Sequence, residues 1–119
     1  MHPHQRELVR LFELLLAAAL ATGNAGPATP QVNAPPKTHT ITIENMRFNP
    51  EVLTVKRGDH VVWVNKDLFP HTATADAKNF DSGSIATDAS WAYVVRKPGA
   101  YAFSCTFHPM MKGKLTVEP

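Results

Sequence analysis

From Thr38 onward the chain repeats its apolar residues with period two rather than 3.6, and that one property excludes most architectures. His39, Ile41 and Ile43 alternate with Thr38, Thr40 and Thr42, the pattern of a half-buried strand. Residues 51–56 read as a second strand behind Asn49-Pro50. Residues 60–65 read as a third, and the nearly continuous run Val61-Val62-Trp63-Val64 suits a central position. Residues 65–70 form a loop, residues 72–75 a short strand, and residues 91–96 alternate again. Tyr101, Phe103 and Cys105 then share one strand face, which sends the cysteine toward the apolar interior. Lys112-Gly113 is expected to turn the chain into a last strand with Leu115 and Val117 inward. Turn chemistry at Arg57-Gly58-Asp59, Asp81-Ser82-Gly83 and Lys97-Pro98-Gly99 separates these runs. Short strands, regular turns and no helical pattern in this part predict an all-β fold, an antiparallel β-sandwich.

The first 37 residues differ. Arg6 and Arg10 precede the apolar run Leu14-Leu15-Leu16-Ala17-Ala18-Ala19-Leu20-Ala21, and small residues follow, with candidate cleavage points after Ala21 or Ala25. This is the pattern of a secretory signal peptide, too short to span a bilayer as a helix, although Glu7 and Glu13 are unusual in such a segment. The expected organisation is a signal peptide over residues 1–25, a Pro-rich linker over 26–37 and one domain over 38–119, without repeats. The net charge of +2 on 119 residues, without a basic run, gives no basis for nucleic-acid binding. A single cysteine cannot form an intramolecular disulfide, so Cys105 is either inert packing or chemically used.

The segment Cys105-Thr106-Phe107-His108-Pro109-Met110-Met111 favours use. A thiolate, an imidazole and a thioether at three-residue steps make a soft set that suits copper in both oxidation states. Electron-transfer copper sites take two histidines, one cysteine and a weak axial methionine. His71, behind Pro70, is placed to be the second histidine. The step from His108 favours Met111 over Met110 as the thioether ligand. Pro109 opposes a continuing helix through the segment but not a tight loop. His39 and His60 read as solvated or packing residues, and His2 and His4 leave with the signal segment.

In Val55-Lys56-Arg57-Gly58-Asp59, Val62-Trp63-Val64-Asn65, Pro70-His71, Gly99-Ala100-Tyr101 and the Cys105–Gly113 loop, residues 38–119 resemble the type I blue copper proteins. They look like a cupredoxin of the amicyanin, plastocyanin and pseudoazurin group, most like amicyanin. The resemblance implies a Greek-key β-sandwich with one copper ion at one end. It implies His71, Cys105 and His108 as equatorial ligands and Met111 as the axial one. Two positions depart from the group. Thr72 stands where an asparagine often bonds to the cysteine loop, and Phe107 stands where short-loop members often have proline.

The leading expectation is a soluble periplasmic electron carrier, monomeric, cycling Cu(II)/Cu(I) between redox protein partners and not an enzyme. The partners would dock transiently on an apolar surface made by Phe69, Pro70, Phe107, Pro109 and Met110 around the edge of His108. The lysines and arginine at 56, 57, 66, 112 and 114 could steer an acidic partner or simply be solvated. The alternative is a copper-binding module for delivery or storage, which one compact ligand set disfavours. A copper oxidase or nitrite reductase needs further paired histidines, and His39 and His60 are not paired in the sequence.

Overall fold

The computed structural model describes residues 34–119, so the expected signal segment and most of the expected linker lie outside the described residues. Eight strands follow in order: β1 Thr38–Glu44, β2 Arg47–Asn49, β3 Val52–Lys56, β4 His60–Asn65, β5 Thr74–Ala75, β6 Ser90–Val94, β7 Gly99–Ser104 and β8 Lys112–Glu118. They form two four-stranded sheets, ordered β2-β1-β4-β6 and β3-β8-β7-β5. No helix among the described residues is long and apolar enough to cross a membrane.

The alternation read from the sequence sets the inward face. Ile41 and Ile43 of β1, Val61 and Trp63 of β4, Phe103 of β7, and Leu115 and Val117 of β8 are all buried. Rings from the two sheets interlock across the interior. Trp63 meets Phe103 edge-on at 5.7 Å between centroids, and Phe48 meets Phe103 at 4.8 Å. Such edge-to-face pairs add to the area they bury. As expected, β4 is central, between β1 and β6.

The all-β sandwich is as expected, but each sheet is mixed. β1 pairs with β4 in parallel, Thr38 opposite His60 through Ile43 opposite Asn65, and β3 pairs with β8 in parallel. The cause is connectivity. The chain leaves the first sheet after β2, lays β3 in the second, and returns to place β4 beside β1 running the same way. A hairpin enforces antiparallel pairing; a crossover between sheets does not. Strand β2, absent from the sequence reading, pairs with β1 through a two-residue turn at Asn45-Met46, and its Phe48 is buried. Lys112-Gly113 is not the expected turn but the start of β8, with Gly113 opposite Phe103. A Cβ at Gly113 would collide with the Phe103 ring, so glycine is required there by packing.

Candidate metal centre

Strands β1 and β4 end together, and the loops that follow β4 and β7 meet at that end. His71 is held in the first of these by its backbone. It exchanges both hydrogen bonds with Ile85, at 3.1 and 2.7 Å. The loop before it is tied by Asn65, fully buried at the end of β4. Asn65 Nδ2 donates to the carbonyls of Phe69 and Ile85, and its Oδ1 accepts the Asp67 N–H. Pro70 leaves its own carbonyl and no N–H to satisfy there.

The second loop is a run of two tight turns rather than a helix. His108 N–H donates to the Cys105 carbonyl at 3.2 Å, and Met111 N–H to the His108 carbonyl at 2.8 Å. Cys105 N–H closes the loop on the Met111 carbonyl at 3.1 Å. Each three-residue step is therefore one hydrogen-bonded turn, which is why Cys105, His108 and Met111 recur with that spacing. Cys105 and Met111 are buried and His108 is half-buried.

One ligand atom each from His71, Cys105 and His108 lie within 4.8 Å of one another. Cys105 Sγ is 3.6 Å from His71 Nδ1 and 3.8 Å from His108 Nδ1. These distances are long for hydrogen bonds. They match something else. A metal about 2.0 Å from nitrogen and about 2.3 Å from sulfur, with ligands in a plane, separates N from S by roughly 3.7 Å. Both N–S spacings therefore suit one soft metal ion shared by a thiol and two imidazoles. Met111 has its side chain buried on the same loop, while Met110 is 92% exposed and directed to solvent.

The surroundings orient these donors. His71 Nε2 lies 2.8 Å from Asp67 Oδ2. Burial pushes the Asp67 pKa up, but the Met46 N–H, the His71 ring and the Asn45 N–H outweigh it and hold the group below the usual carboxylate range. A carboxylate can only accept, so His71 carries its proton on Nε2 and turns the Nδ1 lone pair toward the thiol. Asp67 escaped the sequence reading because it looks like a solvated loop residue. Its signal was the four-residue step to His71.

Thr72 answers the departure noted in the sequence. Its N–H points at Cys105 Sγ at 3.3 Å. Its Oγ1 accepts the Thr106 N–H at 2.9 Å and also meets the hydroxyls of Thr74 and Thr106. The bond from residue 72 to the cysteine loop is thus made by a hydroxyl. On the two loops that carry His71 and His108, Leu68, Phe69, Phe107 and Met110 are each more than half exposed. Leu68 is a further exposed apolar residue beside those named from the sequence. His39 and His60 stay away from this cluster. His39 bonds to Asp59, and His60 is exposed at the opposite end of β4.

Comparison with known proteins agrees with this geometry. The profile of the "Cupredoxin-like domain" family matches residues 12–117. Amicyanin-alpha of Methylorubrum extorquens is 30% identical over 114 residues, covering 90% of this chain and 96% of that protein. Among solved structures, a Cu(I) form of an amicyanin point mutant superposes with a TM-score of 0.64 at 27% identity, covering 68% of this chain and 82% of that one. A copper-containing nitrite reductase from Thermus scotoductus superposes with a TM-score of 0.65 at 27% identity, over 69% of this chain but only 22% of the enzyme.

Proposed function

The chain belongs to the cupredoxin-like family, and from that premise we propose that it is an electron carrier holding one copper ion at His71, Cys105, His108 and Met111. The observation that carries this reading is the placement of the Cys105 thiol at 3.6 and 3.8 Å from two imidazole Nδ1 atoms, the spacing a shared metal requires. Copper, when bound, supplies a one-electron couple between Cu(II) and Cu(I).

The chain's own part is to hold that donor set still. His71 is pinned at both ring and backbone, and Cys105 is sealed from solvent and accepts the Thr72 N–H. Met111, the buried methionine of the loop, would supply the thioether donor to the bound copper. A site that need not rearrange lets an electron enter and leave with little reorganisation. His108 is the exit. His108 is half-buried, and the exposed Leu68, Phe69, Phe107 and Met110 on the two ligand loops offer an apolar surface against which a redox protein can dock briefly and exclude water.

Export to the periplasm follows from the reading of residues 1–25 as a signal peptide and 26–37 as a linker, with 38–119 as the working domain. Catalysis is not part of the proposal. The nitrite reductase likeness spans about a fifth of that enzyme, so its activity does not carry over to this chain.

The test is the visible spectrum of the protein with one equivalent of Cu(II). An intense blue thiolate-to-copper band, bleached by reductant and missing in Cys105→Ala, is expected. A pale complex that loses its metal on buffer exchange would sink the carrier reading in favour of copper delivery.

A further inference from the structure

The two-residue turn between β1 and β2 is unusual. Asn45 and Met46 both have left-handed backbones, with φ of 55° and 60°. Such a turn matches the twist of a hairpin and normally carries asparagine then glycine. Asn45 obeys this rule. Met46 does not, and a branchless but bulky residue at positive φ is strained by roughly 1 kcal/mol. In this conformation the two successive N–H groups point the same way, and backbone amides so arranged make a receptor for an anion. The anion here is internal. Asn45 N–H donates to Asp67 Oδ1 at 2.7 Å, and Met46 N–H to Asp67 Oδ2 at 3.0 Å. Asp67 Oδ2 also takes His71 Nε2.

We propose that the Asn45-Met46 turn is the positioning element of the metal centre: its two amides fix the Asp67 carboxylate, and through it the orientation of the His71 ring. This rests on the reading of His71 as a ligand. The physical case is one of stiffness. A carboxylate on an exposed loop could swing about two side-chain torsions, but one bonded through both oxygens to a strand-anchored backbone cannot. Register ties the turn to the site a second way, because β1 lies parallel to β4 and Ile43 stands opposite Asn65, the residue that organises the His71 loop.

The experiment follows hydrogen exchange by NMR in the full chain, without metal and again with Cu(I). In Asp67→Asn, which keeps one acceptor oxygen, the Asn45 and Met46 amides and the His71 ring N–H should all exchange about tenfold faster, the factor expected from losing one charged hydrogen bond. One glycine inserted between Asn45 and Met46, which hairpins accept as a three-residue loop, should speed the His71 ring N–H alike and shift the visible band of the Cu(II) form. Met46→Gly keeps both amides and relieves the strain at positive φ, so none of the three rates should rise. The proposal is overturned if Asp67→Asn frees the His71 ring but not the turn amides, or if the insertion leaves the His71 rate unchanged. The metal-free rates decide this even if copper binding itself fails, which would count against the functional reading and not against the turn.

Discussion

The two ends of strand β4 carry the same device and use it differently. Before the strand, Asp59 accepts the N–H groups of Lys37 and Lys56 and lies 2.9 Å from His39 Nε2. After it, Asp67 accepts the N–H groups of Asn45 and Met46 and lies 2.8 Å from His71 Nε2. Each is an aspartate clasping two amides and one imidazole. They differ in what the other ring nitrogen meets. The His39 side chain is 24% exposed, whereas that of His71 is fully buried with Nδ1 facing a thiol. The clasp is therefore a structural staple at one end and, in the proposed copper site, a ligand holder at the other. Chemistry enters only where the second nitrogen faces a partner sulfur.

Removing that sulfur should break the comparison most completely. Cys105→Ala is expected to abolish the blue band while the protein still folds, leaving two staples and no site; titration with Cu(II) checks it.

Removing the far staple should do the converse. Asp59→Ala leaves two amides and His39 without their shared acceptor, and should cost roughly 2 kcal/mol, about a 10 °C fall in midpoint for a domain this size. The copper spectrum should not change. Acid sharpens the point. The Lys37 N–H, the His39 side chain and the Lys56 N–H lower the Asp59 pKa to about 2, against the opposing effect of burial. A depressed carboxylate stabilises the fold above its unfolded value near 4 and loses that contribution as pH falls toward 2. Urea unfolding at pH 7 and pH 3 should show a steeper acid loss in the parent than in Asp59→Ala.

Thr72→Val keeps the shape beside the cysteine and removes the acceptor for the Thr106 N–H. About 1–2 kcal/mol of stability should go, with a shift in reduction potential, because the cysteine loop slackens while the Thr72 N–H to sulfur remains. Chemical unfolding and voltammetry on one sample separate the two effects. His39→Gln should be mildest. The amide can still donate to Asp59, so less than about 1 kcal/mol is at stake and the potential should be unchanged.

Legibility in the sequence followed how local each cause was. Strands β1, β4 and β8 were visible because alternation decides which side chains are buried. The three-residue steps from Cys105 to His108 to Met111 were visible because each is one turn. What escaped is non-local. Strand β2 is three residues set among turn formers, and it exists because Phe48 fills space beside Phe103. The parallel pairs depend on where a crossover lands. Gly113 reads as punctuation until the Phe103 ring is seen against it. Asp67 and Asn65 look like loop polar residues until their partners, four to twenty-two positions away, arrive.

The length of β4 has an electrical consequence. Six residues of extended chain span roughly 20 Å, and at that separation two unit charges interact by only about 0.8 kcal/mol at an effective dielectric constant near 20. Distance rather than salt therefore weakens what a charge change around Lys37, His39 and Asp59 can do at the buried thiol. The end where the chain enters the sandwich can change its charge with little retuning of the end that holds the metal.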